Sequence, residues 1–237
     1  MPRDTLTRAQ IVRAAIELLD ADGVEGLSMR RLGSRLGHPA GTAVYWHVKS
    51  KDNLVVLAAD AVWDEIELPD PAEVGWRTAA TRLAHGLYGM VTRHPWLLTA
   101  MSTHLLYGPG KARVDDHCLG VYEAAGFTGM DADNAYKTVF TFVLGTALGE
   151  AAEVAWRARL RRAGGNAEEQ AQAAIAEALQ VAMQFPRLRA RQAWQDADRA
   201  AAGEQSFEYG LEAILDGLQA QLAARPVPAN PGAPSPA

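Results

Sequence analysis

The stretch from Ser28 to Asp52 constrains the fold most strongly, because it reads as two short helices joined by a tight turn. Ser28 is a preferred helix N-cap residue, and Gly37 followed by Pro39 is a typical helix end. Between these residues the apolar side chains recur at spacings of three and four, as one face of a helix requires. A second helix is predicted over roughly 41–48. The chain should therefore contain a compact pair of helices near its N-terminus.

The predicted second helix has one face for a core and one face suited to a partner. Val44 and Val48 recur at a spacing of four and are expected to point inward. The remaining positions carry rings and hydrogen-bonding atoms that an inward face does not need. The pair resembles a helix-turn-helix, whose second helix lies in the major groove of DNA. A helical hairpin whose aromatic patch only packs is the alternative interpretation.

Charges flanking the pair favour DNA. Arg30, Arg31 and Arg35 lie on the first helix, and two lysines follow the second, so both flanks could meet phosphates. The net charge of the chain is −5, but residues 1–53 carry eight Arg or Lys against six Asp or Glu, which leaves +2 there and −7 elsewhere. The residues predicted to contact DNA are Ser28, Arg30, Gly41, Thr42, Tyr45, Trp46, His47, Lys49 and Lys51.

The same residues resemble a known family. The run VYWHVKSK, preceded by GVEGLSMRRLGSRLG, resembles the DNA-binding domain of tetracycline-repressor (TetR) family regulators over about the first fifty residues. The intervening segment HPAGTAV is one residue longer than expected for that family. The resemblance implies a ligand-responsive repressor that a small molecule releases from a palindromic operator in double-stranded DNA. An architectural DNA-binding protein without an effector and a helical enzyme are the competing classes.

Prolines and glycines separate predicted helices along the rest of the chain, and no stretch alternates with the period of two that marks a strand. The fold class is therefore all-α. We predict a three-helix helix-turn-helix domain at 1–50, a larger helical ligand-binding and dimerisation domain at 51–225, and a disordered Pro-rich tail at 226–237. The helices predicted after residue 50 span 51–67, 76–94, 96–106, 111–125, 131–162, a run to 184, and 206–224. The polar segment 187–202 is predicted to be mobile.

Composition limits the remaining classes. At 237 residues the chain can bury two cores. No apolar run approaches the roughly 20 residues that a membrane span needs, and no signal peptide precedes the first helix, so we expect a cytoplasmic protein without a membrane partner. Cys118 is the single cysteine, which excludes an intrachain disulfide.

Motifs for catalysis or metal binding are missing from the sequence. His85, His94, His104 and His117 lack the i, i+4 pairing that places two imidazoles on one metal ion. No GxSxG, Walker, GxGxxG or paired-cysteine pattern occurs. We therefore expect neither an enzyme nor a cofactor.

The second domain has aromatic and single polar residues on otherwise apolar helices, a composition typical of small-molecule pockets and also of ordinary cores. The family resemblance implies a ligand cavity there. The residues predicted to line it are Trp63, Leu83, Leu87, Trp96, Met101, His104, Cys118, Tyr122 and Thr141. The metal-binding histidine and acidic group of the family's namesake are replaced near Met101 and Gly149, so tetracycline is not the predicted effector.

The last predicted helix suggests a dimer interface. The segment FEYGLEAILDGL resembles the final helix of TetR-like effector domains, which pairs with the long preceding helix across a two-fold axis. A homodimer through the helices at 131–162 and 206–224, packed as a four-helix bundle, is therefore predicted.

Overall fold

The computed structural model describes residues 6–37, 42–195 and 199–224; for residues 42, 43, 192–195 and 199–204 it describes the backbone alone. These ranges are helical and contain no strand, which confirms the all-α fold class. A 3-10 turn covers Trp63–Glu65. The α-helices are α1 (Arg8–Gly26), α2 (Met29–Arg35), α3 (Thr42–Val48), α4 (Lys51–Val62), α5 (Pro71–Val74), α6 (Trp76–Arg93), α7 (Trp96–Met101), α8 (Pro109–Ala124), α9 (Met130–Ala163), α10 (Ala167–Ala182), α11 (Pro186–Gln195) and α12 (Arg199–Ala223).

Side-chain caps start the N-terminal helices where the sequence predicted them. Thr7 and Gln10 form a reciprocal capping box at the start of α1. The Ser28 hydroxyl accepts a hydrogen bond from a backbone N–H in the first turn of α2, and the Ser50 hydroxyl does the same for α4. The start of each of these helices is therefore set by contacts within four residues.

The helical backbone of α1 is interrupted at Gly23, where a helix end was predicted. Gly23 has a φ of +69°, and a further helical turn follows this kink and reaches Gly26. Helices α1 to α4 then share one core, in which Val44 and Val48 are fully buried as predicted. The other large side chains of this core include Ile11, Leu18, Leu19, Leu27, Leu32 and Leu54.

Three later segments differ from their predicted lengths. Helix α4 ends at Val62 and tightens into the 3-10 turn, although the prediction extended it to residue 67. Helix α7 ends at Met101 rather than at residue 106. Residues 187–195, which were predicted to be mobile, continue helix α11, while 196–198 and the tail from 225 onward lie outside the described residues.

Helices α6, α8 and α9 pack together behind α4 and form the body of the larger domain. Helix α12 lies across α6 and α9 and is held mainly by Phe207, which stacks on Tyr88 at 4.3 Å and on Phe142 at 5.7 Å between ring centroids. Arg77 of α6 adds ion pairs to Glu212 and Asp216 of α12. The last helix is thus fixed against the body by both rings and charges.

Helix α9 has more apolar surface than its own chain covers. It buries Val139, Val143 and Ala147 toward α6 and α8. Among the described residues it is the one helix long and apolar enough to span a bilayer, with a mean hydropathy of 1.3 over 18 residues, which the sequence analysis did not anticipate. Only 22% of that stretch is buried within the chain. A large part of its surface is therefore available to another molecule.

Candidate DNA interface and ligand cavity

Helix α3 presents an exposed face of rings beside its two buried valines. Tyr45 is 50% exposed, Trp46 is 85% exposed, and His47 is also exposed. A tryptophan this exposed on a helix whose opposite face is rigidly packed is typical of a binding surface. The predicted contacts of these three residues with DNA stay a prediction, as does that of Thr42, whose backbone begins the helix; Gly41 lies outside the described residues.

The turn after α3 is fixed by several backbone contacts. Lys49 has a φ of +60°, a left-handed conformation that is uncommon for residues other than glycine. The carbonyl of Val48 accepts hydrogen bonds from the N–H of Ser50 at 2.6 Å and from the side-chain amide of Asn53 at 2.9 Å. This geometry leaves Lys49 exposed and Lys51 half-buried in the first turn of α4, both next to the exposed face of α3.

The three arginines of α2 are not equivalent. Arg31 pairs with Asp22 at 2.6 Å and donates to the carbonyl of Gly26 at 2.8 Å, while Arg35 pairs with Glu17 of α1. Their expected phosphate contacts therefore compete with bonds inside the domain. Arg30 is exposed and has no ion-pair partner within the described ranges, so its guanidinium is available.

A small cavity lies between the end of α4 and helices α6, α8 and α9. Its volume of about 30 Å³ holds roughly one water molecule. Five of the residues predicted to line a pocket do line it: Trp63, Leu83, Leu87, Cys118 and Tyr122. The other lining residues are Ile66, Ala80, Ala84, Val114, Tyr136, Val139 and Phe140.

The other four predicted pocket residues lie elsewhere. Trp96 is buried against α1 and donates from its indole N–H to Asp20 at 2.7 Å. Met101 is half-buried at the end of α7, and His104 lies 3.6 Å from Asp52 beside the first turn of α4. Thr141 is exposed, because the apolar residues of α9 that face the cavity lie on the opposite side of the helix.

A charged pair that was not predicted from the sequence lies beside the cavity. Lys111 and Asp115 form an ion pair one helical turn apart on α8, and the Tyr136 hydroxyl donates to the same Asp115 oxygen. An i, i+4 lysine and aspartate on a helix with an apolar face was the available signal. The pair is largely shielded from water and reaches the cavity through Tyr136, which lines its wall.

The other titratable groups of the cavity are neutral. Burial raises the pKa of the Cys118 thiol to about 12, and the Asp115 carboxylate adds to the shift. Burial also raises the pKa of Tyr122. Burial and the hydrogen bond to Asp115 raise the pKa of Tyr136. At neutral pH these three groups are thus hydrogen-bond donors without charge.

A buried histidine joins the N-terminal helices to the larger domain. His94 follows α6, and its ring nitrogens lie 2.7 Å from Asp20 of α1 and 2.9 Å from Glu65 beyond α4. Burial alone lowers the pKa of His94, but hydrogen bonds to the two carboxylates outweigh it and raise the pKa above its ordinary value. A protonated imidazole donates from both nitrogens, as these two acceptors require.

A second bridge connects the far end of α9 to α1. Arg162 donates to the carbonyl of Asp22 at 2.6 Å and pairs with Glu25 at 2.8 Å. Helix α1 is therefore bound to the larger domain at two places, by His94 after α6 and by Arg162 of α9.

We expect the free energy of unfolding to depend on pH through His94. Because the folded-state pKa is raised, the stabilisation is fully present below the unfolded pKa of about 6.5 and is lost as pH rises through the folded pKa. Urea unfolding of the wild type and of His94→Gln measures it. The advantage of the wild type should be larger near pH 6 than near pH 8.5. An equal advantage at both values would contradict the charged bridge, and the exposed His47→Gln serves as control.

Sequence comparisons agree with this arrangement. The profile of "Bacterial regulatory proteins, tetR family" matches residues 11–58, and that of "Tetracyclin repressor-like, C-terminal domain" matches residues 68–222. The chain belongs to the tetracycline-repressor family. Regulators of this family bind operator DNA and small molecules and are dimers.

Several members of the family are similar over most of the chain. The transcriptional repressor DrrR1 of Streptomyces coeruleorubidus is 31% identical over 94% of this chain and 81% of its own length. A transcriptional regulator of Saccharopolyspora erythraea is 40% identical over 64% of this chain, and the match spans 63% of that protein. The structure of ActR from Streptomyces coelicolor in complex with actinorhodin superposes with a TM-score of 0.69 at 28% identity, covering 92% of this chain and 98% of ActR.

Proposed function

We propose that this protein is a homodimeric repressor that leaves a palindromic operator when a small molecule enters the cavity. The observation that carries the proposal is the exposed face of α3, which stands on a buried core and is joined through α4 to Trp63 in the cavity wall. Two copies of α3 would enter successive major grooves about one helical turn apart.

Contacts to DNA divide between bases and phosphates. Tyr45, Trp46 and His47 on the exposed face of α3 would read base edges. Arg30, Lys49 and Lys51 would contact phosphates on either side, which sets the register of the helix without specifying sequence.

An exposed stripe along α9 supports the dimer. Its residues follow one another at spacings of three and four, and apart from the large apolar Leu148 they are small or polar: Asn134, Thr138, Thr141, Gly145, Leu148 and Ala152. A Cβ atom on Gly145 or on Gly217 of α12 would meet nothing within 4 Å. Small side chains let a second α9–α12 pair approach closely in a four-helix bundle.

Two helices would transmit occupancy of the cavity to the DNA interface. Trp63 follows directly on α4, whose first turn adjoins α3. Helix α6 carries Leu83 and Leu87 in the cavity wall and ends at His94, which contacts α1. A cavity of about 30 Å³ must widen to admit an effector, so these helices would shift on binding. A thousandfold loss of operator affinity requires about 4 kcal/mol of coupling.

Footprinting on the region upstream of the gene tests the proposal. We expect protection confined to a palindrome and release by one class of small molecules. The similarity to ActR, whose structure contains actinorhodin, supports including actinorhodin in the effector screen. Uniform protection of unrelated DNA would instead indicate an architectural protein.

Lys49 and Lys51, next to α3, are expected to contact DNA phosphates. Lys49→Gly removes a charge and keeps the turn, because glycine adopts a φ of +60° without strain. Operator affinity should then depend less steeply on salt, by roughly 0.9 in the slope per lost phosphate contact, or about twice that for a dimer. Lys51→Ala should act similarly. Filter binding across a salt series measures the slope, and Arg82→Ala at an exposed position of α6 is the control. Unchanged slopes would exclude these lysines from the interface.

A further inference from the structure

A lysine ammonium lies among aromatic rings beside the cavity, and two of these rings also line the cavity wall. The Lys111 nitrogen lies 4.8 Å from the ring centroid of Phe140, 5.0 Å from that of Trp63 and 6.0 Å from that of Tyr107. Its counter-ion is the carboxylate of Asp115. We call Trp63, Tyr107, Asp115 and Phe140 the aromatic cage.

The groups of the aromatic cage are those that bind organic cations. Ring faces within about 6 Å attract a positive charge, most strongly when water is excluded, and a carboxylate completes the charge balance. The Lys111 side chain is only 12% exposed, so the cage holds its ammonium largely away from water. The protein thus supplies its own cation to a cation-binding site.

The lysine can leave the cage and the aspartate cannot. Lys111 has a flexible four-carbon stem and lies in the first turn of α8, close to Tyr107, which is 62% exposed. Asp115 has a short side chain one turn further along α8, and the Tyr136 hydroxyl donates to it. When Lys111 turns toward solvent, rings and a carboxylate remain, which together favour a replacement cation over an anion.

The aromatic cage adjoins the apolar cavity. Trp63 and Phe140 belong to both, and the adjoining walls include Ile66, Leu83 and Leu87. A molecule with an apolar body and a charged head would place its body against these walls and its head in the cage.

We propose that the effector is a lipophilic organic cation whose ammonium-type head displaces the Lys111 ammonium from the aromatic cage. This inference rests on the proposed function, because the cage shares Trp63 and Phe140 with the effector cavity. The displaced Lys111 ammonium moves into water, where its charge is solvated.

Calorimetry with a matched pair of probes tests the inference. Benzyltrimethylammonium and neopentylbenzene have the same shape and differ in one positive charge. The wild-type protein should bind the cation at least tenfold more tightly. Lys111→Met removes the internal competitor and should increase cation affinity about tenfold further. Lys137→Met, on the exposed surface of α9, should leave it unchanged.

The role of the Asp115 carboxylate is measured in the Lys111→Met variant. In the wild type, removing this carboxylate would leave the Lys111 ammonium without its counter-ion. Adding Asp115→Asn there should lower cation affinity at least tenfold and leave neopentylbenzene unaffected. Asp116→Asn, at the exposed neighbouring position, is the matched control.

Equal affinity for the two probes, or no binding of either, would overturn the inference. A lower cation affinity of Lys111→Met than of the wild type would also overturn it. In that case, tight binding of benzenesulfonate to the wild type would identify an anion site. Operator binding by the wild type, measured in parallel, separates the two proposals. Specific operator binding without cation preference contradicts only the effector class, whereas cation binding without operator binding contradicts the proposed function.

Discussion

Replacing Gly145 by arginine is expected to separate the dimer into monomers and to lower operator affinity at least a hundredfold. Gly145 lies midway along the exposed stripe of α9, where the proposed dimer brings a second helix close. A large charged side chain there both overfills the contact and loses its water. Since each monomer then contacts only one half-site, the gain from binding two half-sites together is lost.

Sedimentation velocity and operator binding check this result. The fold of each subunit should survive, because arginine is a better helix former than glycine and a Cβ at this position meets no atom within 4 Å. Gly120→Arg on α8, where the surroundings of the Cβ are equally open, is the matched control and should remain dimeric. A dimeric Gly145→Arg protein would place the subunit interface elsewhere.

The double substitution Tyr45→Ala, Trp46→Ala should remove most of the sequence preference. Each specific base contact contributes about 1–3 kcal/mol, and the dimer would lose contacts from both residues at two half-sites. Operator affinity should therefore fall about a thousandfold or more, toward that of unrelated DNA, while binding to unrelated DNA persists through Arg30, Lys49 and Lys51.

The thermal stability of this variant separates binding from folding. Tyr45 and Trp46 bury little surface in the chain, so the melting temperature should change by no more than a few degrees. Phe185→Ala, a 55% exposed apolar residue between α10 and α11, controls for loss of surface hydrophobicity. An undiminished operator preference in the double variant would exclude α3 as the helix that reads the bases.

The features that sequence predicted best are those set by local contacts. Thr7, Ser28 and Ser50 cap helices through partners three residues away, so their role follows from the order of residues alone. The burial of Val44 and Val48 follows in the same way from helical periodicity. Family membership was predictable because the densest match lies in this locally determined region.

The sequence was a poor guide to which side of a helix faces the core and to which residues contact each other across helices. Both depend on how the helices pack. Thr141 was expected in the cavity, but α9 is apolar on more than one side, so its sequence does not identify the side that faces α6. Lys111 resembles a solvated residue in a helix that begins with Pro-Gly. The rings around it come from positions 63 and 140, which sequence spacing does not connect. Arg31 and Arg35 were expected to contact phosphates. Their ion pairs with Asp22 and Glu17 depend on how α1 packs against α2, which residue spacing does not show.

The two bridges to α1 limit how freely such regulators can be recombined. A sensor is often built by joining the DNA-binding segment of one regulator to the effector domain of another, and residue 50 would be the natural junction. In this protein, His94 and Arg162 belong to the effector side of that junction but bind Asp20, the carbonyl of Asp22, and Glu25. A hybrid that replaces residues 1–50 without preserving these three acceptors would still bind operator DNA and effector. Effector binding would no longer change its operator affinity.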